Sequence, residues 1–144
     1  MTWGEIQVIT LQKMFVNEEP IEVNALNELK NNDDYKVFLN SMPAAANEGI
    51  RRLYVYGYPK YNYDEDMEKY TQKQPDIITS LTKNEYIMEL SDECCVLLPL
   101  YIASELYKDD DISLSTIYRN EFETGLLELQ NNIENPQIDV IFRM

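Results

Sequence analysis

The stretch that most constrains the fold runs from Ser91 to Leu129, SDECCVLLPLYIASELYKDDDISLSTIYRNEFETGLLEL. Ser91 can cap a helix whose first turn holds Asp92 and Glu93, where the positive end of the helix dipole favours carboxylates. Cys94, Cys95, Leu97, Leu98, Tyr101, Ile102 and Leu106 give that helix an apolar surface too broad for a one-sided surface helix. Pro99 removes a backbone donor and predicts a bend near Cys95, four residues upstream. Lys108-Asp109-Asp110-Asp111 reads as a polar turn whose last aspartate caps a second helix. There Leu114, Ile117, Tyr118, Phe122, Leu126 and Leu129 recur at helical steps. Two helices joined by so short a turn lie antiparallel, and they are expected to form the core, with Leu98, Ile102, Leu106, Ile117, Phe122 and Leu126 buried.

Upstream, Thr2-Trp3-Gly4-Glu5 fits a capping box. The helix behind it carries Trp3, Ile6, Val8, Ile9, Leu11, Met14 and Phe15 on more than one side, so part of this surface is expected to face a neighbour. A short helical turn is expected over Asn24 to Lys30, then a loop at 31–34 ending in a cap. Phe38, Leu39, Met42, Ala46, Ile50 and Leu53 keep helical spacing; Pro43 leaves either one kinked helix or two helices meeting near Ser41. Ala44-Ala45-Ala46 offers a flat surface for close helix packing. Alternation through Tyr54, Tyr56 and Tyr58 predicts a strand or extended loop. Residues 72–79 read as irregular, Glu85 to Leu90 as extended, and Gln137 to Phe142 as a strand-like tail behind the breaker at 131–136. The expected class is mainly α. It is a single domain of 144 residues: N-terminal helices at 1–54, an extended or β-like segment at 55–90, an antiparallel helical hairpin at 91–130 and an extended tail at 131–144.

Charge and composition exclude several kinds of chemistry. With 12 Lys and Arg against 26 Asp and Glu the net charge is -14, which argues against phosphate binding through clustered cations. The chain has no histidine, and so lacks the commonest general base and metal ligand. Asp64-Glu65-Asp66-Met67-Glu68 invites a calcium loop, but Lys69 stands where glycine is needed and Pro75 where glutamate is needed. The spacing from Asp109 fails likewise at Leu114. Cys94 and Cys95 read as reduced core residues, and all four glycines are isolated, so no phosphate loop exists. The tyrosines could stack bases, but their acidic neighbours favour contact with protein. The 94–103 apolar run is too short to span a bilayer, and no basic leader precedes the first helix. No active site, cofactor or metal is expected.

The run DECCVLLPLYIASELYKDDDISLSTIYRNEFETGLLEL resembles the C-terminal helices of head-to-tail connector (adaptor) proteins of tailed bacteriophages, of the kind found in phages of Gram-positive bacteria. MTWGEIQVITLQKMF and the Asp34-to-Leu53 run containing SMPAAANE are similar to the N-terminal part of the same proteins. Many relatives carry a longer β-rich insertion where this chain has only residues 54–90, so that insertion's role is not carried over.

The resemblance implies a structural protein of the virion neck, made in the bacterial host cytoplasm. It would form a ring of about twelve copies that joins the portal to the tail or tail-completion proteins. DNA would pass through without specific binding, and no membrane is involved. On that reading Asp64, Glu65, Asp66, Glu68, Asp109, Asp110 and Asp111 are candidate channel-facing acids, which let DNA slide rather than stick. Ile138, Val140, Ile141 and Phe142 are candidate docking residues that add a strand to a portal or neighbouring subunit, or enter its groove. The main rival is a small acidic phage or host regulator or inhibitor acting on one protein partner; a more distant one is a tail-completion protein lower in the neck.

Overall fold

The structure, a computed structural model, describes residues 1–15, 20–57, 61–64, 69–72 and 77–134, with side chains described outside 55–76 and up to residue 131. Helix α1 (Trp3–Met14) starts on the reciprocal cap written in its sequence. The Glu5 amide donates to the Thr2 hydroxyl at 3.2 Å, and the Thr2 amide donates to the Glu5 carboxylate at 3.2 Å. Helix ends leave carbonyls without intrahelical partners. Here those of Lys13 and Met14 accept from the hydroxyls of Tyr118 and Tyr107 at 2.7 and 2.8 Å, the two rings stacked 6.1 Å apart.

A 3-10 turn (Val23–Ala25) leads into α2 (Leu26–Leu29), which buries Leu26 completely. The following loop contains an Asx turn, the Asp34 amide donating to Asn32 Oδ1 at 2.9 Å. Helix α3 (Lys36–Gly57) runs through Pro43 as one helix; Ser41 is no cap, because its hydroxyl donates to the Val37 carbonyl within the helix. The extended reading of Tyr54 and Tyr56 is corrected, since α3 continues past both. Met42, Ala46, Ile50, Leu53 and Tyr54 are all buried at three- and four-residue steps, and this stripe overrides the local alternation of tyrosines. Tyr58 lies outside the described residues. Beyond it, β1 (Tyr61–Asp64) pairs antiparallel with β2 (Lys69–Gln72), Tyr61 opposite Gln72 and Asp64 opposite Lys69.

Ser91 caps α4 (Asp92–Cys95) through the Cys94 amide at 3.4 Å. In place of one long helix bent near Cys95, a turn at Val96 and Leu97 separates α4 from α5 (Leu98–Leu106). Pro99 sits in the first turn of α5, where its missing amide has no partner to lose. Helix α5 is the centre of the fold. Leu98 through Ser104 are all buried, and α1, α3 and α6 (Ile112–Glu134) pack around it. Leu97 meets Gly125, Tyr101 meets Phe122, Ser104 meets Arg119 and Tyr107 meets Tyr118, so α5 and α6 run in opposite directions. Leu97 packs directly over Gly125, and a Cβ there would force the Leu97 side chain to move.

Two expectations about the core are corrected. Ile117 is 51% exposed, whereas Phe122 is fully buried with Leu126 and Leu129 beside it. Five residues of helix turn a side chain by about 500°, which leaves Ile117 about 140° away from Phe122 and outside the stripe. Leu106 is only partly buried, at the exit of α5. The many-sided apolar surface of α1 is covered within the chain itself. Helix α5 covers one side and the segment 77–90 another, and α1 ends with eight buried residues.

Candidate docking surface

The segment 77–90 is held at both ends by backbone and side-chain hydrogen bonds. From α3, the Asn47 side chain donates to the Ile78 carbonyl and accepts from the Ile78 amide, both at 2.8 Å. From α1, the Trp3 amide donates to the Tyr86 carbonyl at 2.8 Å and the Gly4 amide to the Asn84 carbonyl at 2.9 Å. A Cβ at Gly4 would lie 2.9 Å from that carbonyl oxygen, so the close crossing needs glycine. Gln7 adds a bond to Asn84 Oδ1 at 3.0 Å, and Thr2 and Ile87 form an antiparallel bridge. The expected extended run toward Ser91 is therefore tied to the N-terminus by this bridge and by the Met88 amide bonding the Met1 carbonyl. On this scaffold Ile77, Leu81 and Ile87 stand 76%, 89% and 70% exposed. A groove of about 600 Å³ lies beside them, lined by Ile77, Ile78, Thr82, Lys83, Glu85 and Tyr86. These three large apolar side chains are thus held outward on a segment anchored at both ends.

Of the candidate acids, those of the 109–111 turn are described with their side chains. Asp111 accepts from the Leu114 amide at 3.1 Å and caps α6, so its carboxylate is committed to the helix. Asp109 and Asp110 are exposed in the same turn. Asp64 closes β1, while Glu65, Asp66 and Glu68 lie outside the described residues. So do the candidate docking residues Ile138, Val140, Ile141 and Phe142.

Sequence reading did not find the charged network around the core aromatic pair. The rings of Tyr101 and Phe122 meet edge-on at 5.1 Å. The Arg52 guanidinium lies over Phe122 at 5.1 Å and that of Arg119 over Tyr101 at 4.4 Å. Arg52 grips Glu123 with two nitrogens, one at 2.9 Å, and this hydrogen bonding holds the Glu123 carboxyl below its ordinary range despite some desolvation. Arg119 donates to Ser104 Oγ at 3.1 Å and pairs with Glu105, and the Tyr101 hydroxyl donates to Glu48 at 3.2 Å. The only advance signal for this network was the appearance of Arg at helix positions flanking apolar ones. Its cations face carboxylates and aromatic rings, so it is a lock between α3, α5 and α6 rather than a reactive centre.

Cys94 and Cys95 are fully buried and not disulfide-bonded. Burial raises both thiols, that of Cys95 to about 11, so neither supplies a thiolate nucleophile at neutral pH. Among the described residues no group of three or more Asp, Glu or Cys side chains is arranged to hold a metal ion, and no helix is long and apolar enough to cross a membrane. Comparison with protein-family models, with curated proteins and with solved structures finds no match for this chain.

Proposed function

We propose that this chain is a structural connector of the phage neck, a ring subunit that joins the portal to the tail and continues the DNA channel. One observation carries the reading. The three stretches that bear the resemblance, 1–15, 34–53 and 92–129, fold into α1, α3 and the α4–α6 unit, and these pack on one another around α5. In the stretch that departs from the relatives, 54–90, residues 61–64 and 69–72 form a strand pair and 77–90 is tied to α1 and α3. Within this reading, residues 91–134 act as the helical hairpin that gives the subunit its rigidity. The anchored segment 77–90 is a partner-facing surface, and the exposed Asp109 and Asp110 contribute to a negative wall that does not retain DNA. Deleting the gene from the phage tests the proposal. DNA-filled heads and free tails that fail to join are expected, with joining restored by expression of the chain in trans. Normal joined particles in the deletion strain would contradict it.

A further inference from the structure

We infer that the furrow between α5 and α6 takes a basic amphipathic helix of another protein. The inference goes beyond the connector reading and does not depend on it. The furrow encloses about 450 Å³ and is lined by Leu100 of α5 and by Asn120, Glu121, Thr124, Gly125 and Glu128 of α6. Its middle is low and apolar: Gly125 carries no side chain, Leu97 packs against it, and Leu100 forms the α5 wall. Two carboxylates mark its ends. Glu121 and Glu128 are both exposed and stand two turns apart, about 10 Å along one side of α6. No cation lines the furrow, and among the described residues neither carboxylate is in an ion pair.

Shape and charge together select the occupant. Two antiparallel helices present a straight furrow, and a third helix fits by laying a ridge of side chains into it. An apolar residue of that helix sits over Gly125. A cation then stands opposite each glutamate, and the two cations are seven residues apart on the incoming helix. Other occupants lack this complement. Nucleic acid brings phosphates to carboxylates. Two carboxylates two turns apart do not converge on a metal ion, and the described residues hold no cluster for one. A second copy brings a net charge of -14, and no two of its 12 Lys and Arg stand seven residues apart. The 135–144 tail offers Arg143 alone.

The two features divide the work. Glu121 and Glu128 are exposed, so they steer and orient the incoming helix, while the apolar residue in the furrow supplies the buried contact. A helix with cations alone leaves the furrow empty, and an apolar helix without them leaves both carboxylates unanswered. Binding therefore needs the full pattern, and it weakens as salt screens the attraction.

The test is fluorescence anisotropy of a labelled, alanine-based helical peptide of about 18 residues, with leucine midway between two lysines seven residues apart. The full chain is titrated into it from about 1 µM to about 1 mM. The wild type should bind at about 20 mM salt and at least tenfold more weakly at about 0.5 M. Glu121→Gln combined with Glu128→Gln should weaken binding at least tenfold. So should Thr124→Tyr, which blocks the furrow without changing charge. All three positions are exposed, and circular dichroism with thermal melting checks that the fold is kept. Glu22→Gln combined with Glu28→Gln removes the same charge from exposed positions elsewhere and should bind as wild type. A peptide of the same composition with the two lysines adjacent should bind at least tenfold more weakly. Absence of binding throughout, or furrow variants that bind as well as wild type, would overturn the inference. Equal weakening by the control pair would overturn it too, because attraction would then belong to the charge of the whole chain. So would tighter binding after removal of residues 135–144, because the tail would then be the occupant.

Discussion

Replacing Phe122 by alanine tests the placement of the core most sharply, because Ile117 on the same helix supplies an internal control. Phe122 is fully buried, edge-on to Tyr101 at 5.1 Å and covered by the Arg52 guanidinium. Truncation of a buried phenylalanine costs about 3–5 kcal/mol, from lost transfer free energy and the cavity left behind. The lost ring contact accounts for about 0.5–1.5 kcal/mol of that, so a value near 4 kcal/mol is expected. For a chain of this length the corresponding fall in melting temperature is about 10–20 °C. Ile117→Ala, at a position 51% exposed, should change stability by less than about 0.5 kcal/mol. Urea unfolding followed by far-ultraviolet circular dichroism, at dilution where the chain is monomeric, measures both. Equal costs at the two positions would mean that α6 is rotated from its place here. A cost at Phe122 below about 1 kcal/mol would mean that the core lies elsewhere.

Further outcomes follow from particular side chains and from the tail. Cys94 and Cys95 should resist thiol reagents in the native protein at pH 8 and react on unfolding; rapid native labelling would contradict their burial. Folding raises the Cys95 thiol from 9.0 to about 11, so the unfolded chain ionises first. Stability should therefore fall as pH rises from about 9 to about 11, and Cys95→Ala should shallow that decline. In the acidic turn, Asp111→Ala should cost about 1 kcal/mol by uncapping α6, while Asp109→Lys with Asp110→Lys should leave melting nearly unchanged. The lysine pair should slow DNA release from assembled particles, less so at high salt; release unchanged at low salt would place these acids away from the channel. Removing residues 137–144 should keep the helical signal and abolish incorporation into particles, whereas loss of the helical signal would assign the tail to the core.

The parts of the fold legible in the sequence are those set by short-range chemistry. Thr2 with Glu5, Ser91 and Asp111 each mark a helix start, because a side-chain oxygen two or three residues before an unpaired amide is a local arrangement. The stripe of α3 could be followed to Leu53 but was lost at Tyr54, where three alternating tyrosines imitate a strand and only tertiary burial decides between the periods. Ile117 was assigned to the core because it is apolar and near the stripe; an error of 140° around a helix is invisible without counting turns from Phe122. The interruption falls at Val96 and Leu97, next to the bend expected near Cys95, but proline is tolerated in a first turn, so Pro99 begins α5 rather than bending one longer helix. The segment at 77–90 carries no periodic signal. Its shape is imposed by Asn47, Trp3 and Gly4, which are distant in sequence.

Imaging the neck of the phage particle, with this chain carrying a label, tests the proposed role most directly. The account predicts label in a ring directly beneath the portal, coaxial with the DNA channel and present in about twelve copies. Label confined to the tail, or purified infectious particles that contain none of the chain, would contradict it.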